Sequence, residues 1–490
     1  MNGVNPIKKL AGQTAIYGLS SVIGRFLNYL LVPLYVNVFT TPEGYGVVSE
    51  LYTWVAFLLV LLTFGMETAY FKFLTDKEDK QSVFNNAIFT VMGVNVLFLL
   101  VLVLFHQPIA TKMLFGENPE YIILLGTIVI IDAIAALPLA KLRAEQKVKK
   151  FAGIQLLSIG VNISLNLFLL LIVYKGENPE QAVRYILISN VVASLVKPLL
   201  CYKDFLQLRF TIDWELIRLM IRYSFPLALA GFAFIINETI DRVLLKHLTF
   251  HNYTEELGKE VAQRFAEAQV GIYSASYKLA MLVTIFLQAY RYAAEPFFFA
   301  ESKSKDRNKT YVKVMNYFVG AVYLCFLLVS LNLDIFKYFI PNENYWEGLR
   351  IVPILLLANV FSGVYINQSI WYKLSGQTRF GAYIAGGGAF FTITLNVLLI
   401  PYFGYMACAW ITMFVYLGQL IASYIIGQKE YPIPYNLRKF GLYSAVALLI
   451  YGLSVLLHIN EGIVQFFVHN LMIAFFVGLV WFMERSSAKK

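Results

Sequence analysis

The sequence predicts an all-α polytopic membrane protein, and three observations predict it. Of the 490 residues, 59% are hydrophobic and only 14% charged, well below the roughly one-quarter charged share of a soluble domain. Apolar runs long enough to cross a bilayer recur along the whole chain. Lysine and arginine gather in alternate connections between those runs, the pattern that membrane topology imposes. The 40 Phe and 32 Tyr fit aromatic belts at both interfaces.

A spanning helix needs roughly 20 mostly apolar residues, because lipid offers the backbone no hydrogen-bond partner. Fourteen segments qualify. The first, 14–39, follows the short basic MNGVNPIKKL and reads as its own uncleaved insertion signal. Spans 45–71, 83–105, 120–141, 152–174 and 183–203 follow. Next comes DWELIRLMIRY (213–223), an amphipathic stretch expected on the membrane surface. Spans 223–247 and 270–298 flank a connection expected to hold a short surface helix. Spans 312–333, 349–372, 380–401 and 404–427 come next, the last two divided by a turn at Pro401–Gly404 that leaves a single kinked helix open. Spans 438–457 and 462–483 close the chain.

With the N-terminus placed in the cytoplasm, the 40 basic residues sort by side. Arg25, Lys197, Arg242, Lys278 and Arg291 fall within spans. Lys112, Lys175, Arg184, Lys246, Lys259, Arg264, Lys337 and Arg350 fall in the outer connections or at the span ends that border them, which leaves 27 on the inner side. Missing one central span would scramble that split, so it supports fourteen spans with both termini cytoplasmic.

Gly46-x-x-Ser49-x-x-Tyr52 opens the second span, and Gly271-x-x-Ser274-x-x-Tyr277 opens the eighth. Glu67-x-x-x-Phe71 and Glu295-x-x-x-Phe299 recur further along the same two spans. Six spans separate the copies, an even number, so the repeat is parallel. It predicts an N-terminal six-helix lobe (1–203), a cytoplasmic amphipathic linker (204–222), a second lobe (223–428) and two extra helices with a tail (429–490).

Charge at the bilayer centre costs about 2.5 to about 17 kcal/mol, so each buried charge needs a reason. Arg25 lies about 17 Å into the first span at 1.5 Å per residue, has no acid within a turn and cannot deprotonate. Asp132 and Lys197 lie deep, Glu50 and Lys278 nearer the outside, and Glu238, Asp241 and Arg242 in the outer half of the seventh span. Glu67, Arg291 and Glu295 sit near the inner face. Plain structural readings stand beside these. Arg291, Glu67 and Glu295 can snorkel. Glu238 can pair with Arg242 at i,i+4. Lys197 can reach carbonyls freed by Pro198. Taken together, the charges suit a water-filled cavity. Arginines bind phosphate bidentately, so Arg25, Arg242 and Arg291, with Lys197 and Lys278, point to an anionic, phosphorylated substrate. The acids Glu50, Asp132, Glu238, Asp241, Glu67 and Glu295 are candidates to carry H+ or Na+.

Several classes are disfavoured. No G-x-x-x-x-G-K-[ST] loop is present, and the five histidines lack metal-ligand spacing, so no metal or other cofactor is expected. The basic residues form no single patch for nucleic acid. Cys201, Cys325 and Cys408 lie in apolar runs and read as buried thiols. A membrane glycosyltransferase or polymerase, the alternative from a different class, is disfavoured because no connection is long enough for a domain.

The stretch LAGQTAIYGLSSVIGRFLNYLLVPLYVNVFTTPEGYGVVSELYTW (10–54), with Arg25 inside its first helix and the turn Pro42-Glu43-Gly44-Tyr45-Gly46, resembles the start of oligosaccharide flippases. These are the polysaccharide biosynthesis proteins of the multidrug/oligosaccharidyl-lipid/polysaccharide exporter superfamily. The resemblance implies a non-enzymatic bacterial inner-membrane flippase that moves undecaprenyl-pyrophosphate-linked oligosaccharide by alternating access. It implies membrane lipids and polysaccharide polymerase or chain-length machinery as partners. It also implies that Arg25 and Arg242, on the first helix of each lobe, contact the pyrophosphate, with Arg291 nearby. The chain has one Arg midway along its first span where related flippases carry several. A peptidoglycan lipid-precursor flippase and a multidrug extruder share the fold and remain alternatives.

Overall fold

The computed structural model describes residues 23–488 except 25, 77, 177, 303 and 458–461. Among them, 13 helices are long and apolar enough to span a membrane, and the shorter apolar helix Phe26–Val38 is the described part of the first predicted span. In chain order these are α1 (Phe26–Val38), α2 (Pro42–Leu74), α3 (Lys80–Lys112), α4 (Glu120–Ala144), α5 (Val148–Val173) and α6 (Pro179–Leu200). There follow α7 (Trp214–Leu257), α8 (Lys259–Glu301), α9 (Arg307–Leu331), α10 (Glu343–Leu374), α11 (Arg379–Phe403), α12 (Tyr405–Glu430), α13 (Leu437–Leu457) and α14 (Ile463–Ala488). The protein is a multi-pass, all-helical membrane protein.

Local sequence sets the boundaries. Pro42 begins α2 at a position where its missing N–H costs nothing. Asp79 caps α3 by accepting from the N–H groups of Gln81 and Ser82. Asn178 caps α6 ahead of Pro179, and Asp213 caps α7 through the Leu216 N–H. Within α2 the helix breaks where Phe64 and Gly65 take φ of +51° and +65°. The α7 backbone lies close against Gly65, since a Cβ there would sit 3.1 Å from the Ser224 carbonyl oxygen. Gly404, at φ +54°, separates α11 from α12, so Pro401–Gly404 divides two helices.

Two connections differ from the sequence expectation. The amphipathic segment from Trp214 is not a separate surface helix but the first turns of α7. At the other end, α7 runs past 247 to Leu257, and α8 starts at Lys259 after Gly258 at φ +78°. Nothing between 248 and 257 breaks a helix. The apolar run ends where polar residues begin, but the backbone hydrogen bonds continue. Lys246, counted from sequence with the outer side, therefore sits well inside α7.

Contacts group the chain into two compact units, Met1–Gly271 and Ile272–Lys490. In the first, α3 pairs with α4, α5 with α6, and α4 with α6, while α2 packs on both α4 and α7. In the second, α9 pairs with α10, α11 with α12, and α10 with α12, and α13 and α14 both pack on α9. The pairing pattern of α3–α6 recurs six helices later.

Candidate functional site

Within the first unit, α1, α4, α5 and α6 enclose a polar cavity of about 300 Å³. Asn28, Asp132, Gln155, Asn162, Asn190 and Lys197 line it. Helical spacing places these polar residues on the inward faces of helices whose other faces are apolar. The Lys197 Nζ lies 2.8 Å from Asp132 Oδ1, an ion pair whose two side chains remain about one-fifth exposed. Lys197 thus pairs with Asp132, the neutralised alternative to reaching the carbonyls before Pro198. Hydrogen bonds extend the polar surface outward. Asn166 donates to Asn162 Oδ1 at 3.0 Å and accepts from the Tyr35 hydroxyl at 3.0 Å. Asn190 contacts the Tyr52 hydroxyl on α2. Arg25 lies outside the described residues, and its neighbours Gly24 and Asn28 line the cavity.

A second buried cluster joins α2, α7 and α8 at the end where α3 turns into α4. Glu50 is 0% exposed, Lys246 1% and Glu267 8%. The Lys246 Nζ lies 2.8 Å from Glu50 Oε2 and 3.3 Å from Glu267 Oε1. It also donates to the Met113 carbonyl at 3.2 Å and sits 3.6 Å above the centre of the Phe115 ring. Trp54 Nε1 donates to Glu50 Oε1 at 3.3 Å, and Gln263 donates to Glu267 Oε1 at 3.1 Å. Glu50 was legible in the sequence as an intramembrane acid, whereas its partners in the cluster, Lys246 and Glu267, were not. Gly258 was the available signal: no glycine or proline stands between Gly231 and Gly258, so Lys246 had to be helical. Beside the cluster, α2 and α8 cross at Gly46 and Gly271, the opening glycines of the repeat. A Cβ on Gly46 would fall 1.9 Å from the Glu267 carbonyl oxygen, and one on Gly271 would fall 2.0 Å from that of Pro42.

The remaining candidates scatter. Arg242 pairs with its neighbour Asp241 at 3.0 Å, both buried, and donates to the backbone carbonyl of Glu238 at 3.1 Å. Arg242 thus reaches the Glu238 backbone four residues back and the Asp241 carboxylate beside it. Glu67 forms an ion pair with Arg143, whose guanidinium covers Phe71. Lys278, in the second unit, is half-buried. Arg291 is exposed, beside a small pocket it shares with Lys373. The side chain of Glu295 lies outside the described residues. No group of three or more metal-ligating side chains occurs among the described residues.

The sequence model of the polysaccharide biosynthesis protein family matches residues 10–302. A Lsg locus protein of Haemophilus influenzae is 24% identical over 304 residues, covering 61% of this chain and 68% of its own. The fold is similar to that of the lipid II flippase MurJ in an inward closed conformation, with a TM-score of 0.64 at 14% identity, over 94% of this chain and 98% of that one. It is also similar to an inward-facing multidrug resistance MATE family transporter of the MOP superfamily, with a TM-score of 0.59 at 14% identity over 82% and 93% of the two chains. An outward-facing transporter of that family gives 0.57 at 16% identity over 88% and 98%.

Proposed function

This chain belongs to the polysaccharide biosynthesis protein family, and from that premise we propose that it flips a lipid-linked oligosaccharide between leaflets of a bacterial inner membrane. The substrate class is an undecaprenyl-pyrophosphate-linked repeat unit of a surface polysaccharide. Transport follows alternating access, coupled to H+ or Na+. Both termini face the cytoplasm, and polysaccharide polymerase or chain-length proteins receive the product.

The observation that carries this reading is the polar cavity in the first unit, with Asp132 and Lys197 in its wall. Lipid gives no shelter to an ion pair, so one retained deep in a bundle and partly open to a cavity marks a path for polar cargo or ions. Arg25, whose chain neighbours Gly24 and Asn28 line that cavity, and Arg242 are the proposed phosphate ligands, with Lys197, Lys278 and Arg291 as further cationic positions. Asp132 and Glu50 are the first choices among the coupling acids. Glu67 ranks lower, because its partner Arg143 gives it a sufficient structural role.

The test is complementation in cells lacking the protein, with Arg25→Ala and Arg242→Ala at matched expression. Loss of surface polysaccharide together with accumulation of precursor in the cytoplasmic leaflet supports the reading. Normal surface polysaccharide with both variants removes the arginines from the substrate path. The lipid II flippase likeness over 94% of this chain favours one second reading, a peptidoglycan lipid precursor as cargo. Rescue of a strain lacking its lipid II flippase would favour that cargo. A change in drug sensitivity alone would favour an extruder.

A further inference from the structure

The cluster of Glu50, Lys246 and Glu267 is not explained by substrate binding at the polar cavity. A lysine ammonium is a compact, strongly hydrated ion. Here its water is replaced by Glu50 Oε2 at 2.8 Å, the Met113 carbonyl at 3.2 Å, Glu267 Oε1 at 3.3 Å and the face of Phe115. That is a coordination shell for a cation, built from α2, α8 and the α3–α4 connection, with the cation delivered by α7. Two carboxylates face one ammonium. Glu267 also lines a cavity of about 990 Å³, whose wall includes Glu43, Lys259, Glu260 and Arg264. Glu50 lies behind it, with no exposed surface.

The rest of the α2–α7 seam is of another character. The Phe57 and Phe232 rings lie 6.1 Å apart and tilted, those of Phe64 and Phe225 5.8 Å apart and tilted, and Gly65 lies against Ser224. Such contacts can slide or part without stranding a charge. The charged end cannot part unless the carboxylates and the ammonium each find another partner, because an unpaired ion in apolar surroundings is costly.

We propose that Lys246 is a tethered occupant of an exchangeable cation site, in which Glu50 and Glu267 take a proton or a monovalent metal cation in its place, and that this exchange releases α7 from α2 and α8. The inference deepens the coupled-transport reading and rests on it. A cation arriving through the larger cavity meets Glu267 first and then Glu50. Lys246, deprived of its counter-charges, moves toward water with its end of α7. Other groups facing the site are His247, whose Nε2 is 4.0 Å from Glu50 Oε1, and the Trp54 and Gln263 donors. Arg242, one turn back on α7, is paired with Asp241.

Trp54 is a built-in reporter, because its indole N–H donates to Glu50. The experiment follows tryptophan emission of the full chain in detergent, subtracting the Trp54→Phe variant. NaCl is titrated against choline chloride at fixed pH, and acid is titrated separately in choline. The expected result is a saturable change with Na+, or with acid alone, which identifies the cation. Glu267→Gln should abolish the change. Lys246→Gln should shift its midpoint to roughly tenfold lower cation concentration by removing the tethered competitor. A silent Trp54 in a protein that still unfolds cooperatively overturns the proposal. So does a response that Glu267→Gln leaves unmoved, or an unshifted midpoint in folded Lys246→Gln. If Lys246→Gln does not fold, Glu267→Gln decides alone. No lipid-linked sugar enters this assay. A silent Trp54 in an active flippase therefore sinks only the exchange site, and a responsive one in a protein that moves no such lipid sinks only the transport reading.

Discussion

Lys246 shows how much of this protein turns on single buried charges. Breaking a buried ion pair by deleting one partner typically costs about 3–5 kcal/mol, because the other partner is left uncompensated. Lys246→Ala should therefore lower the thermal midpoint in detergent markedly. The triple variant Glu50→Gln, Lys246→Met, Glu267→Gln should recover most of that loss, since no charge is stranded. Equal destabilisation of single and triple variants would show that packing, not charge, sets the cost. At the second pair, Asp132→Asn and Lys197→Met should each destabilise less, because both side chains keep some exposure. Their combination should be less costly than the sum, as a double-mutant cycle reads directly. Residue type and depth made Glu50, Asp132 and Lys197 legible in the sequence. Which acid meets which base was not legible, because a pair such as Asp132 and Lys197 is made across helices 65 positions apart. Arg242 shows the same limit: its ion pair with its chain neighbour Asp241 was not read from the spacing.

Helices were read from hydropathy, which sees the stretch that lipid covers and not the full hydrogen-bonded rod. The count of spans followed, because lipid forbids unpaired backbone. The true length of α7 did not: its ends, rich in Arg, Asn, Thr and Glu, look like loop although neither end holds a glycine or proline and none lies between Gly231 and Gly258. Close helix approach is the other feature set at this scale. The repeat glycines Gly46 and Gly271 stood out by their spacing, and only the fold shows that they meet. Gly46→Leu or Gly271→Leu should prevent the α2–α8 crossing and collapse the yield of monodisperse protein. Gly153→Ala, where a Cβ meets nothing within 4 Å, should be neutral. Gly65→Ala should cost about 1–2 kcal/mol, because it forces an L-residue into a left-handed conformation. A Gly46→Leu protein as stable as the parent would refute the packing assigned to that crossing.

For the whole molecule, the readable signals were the alternation of basic connections and the recurrence of a Gly-x-x-Ser-x-x-Tyr opening. The helix pairing of α3–α6 and α9–α12 repeats at the same six-helix interval. Reporter fusions should place both chain ends and the connection near Ser304 in the cytoplasm, with Gly258 on the opposite side. An external C-terminus would break the orientation. The cargo was the least legible property. The proposed cargo would meet side chains scattered over several helices, with no contiguous motif to read, so residue types point only to an anion and family membership only to polysaccharide biosynthesis. The most direct test reconstitutes the purified chain in liposomes containing a fluorescent undecaprenyl-pyrophosphate-linked oligosaccharide and quenches the outer leaflet. Protein-dependent exchange between leaflets, driven by a Na+ or proton gradient and lost in a folded Asp132→Asn, Lys197→Met double variant, is the expected result for a coupled flippase. Exchange equal to that of protein-free liposomes, from folded protein under both gradients, would contradict that reading.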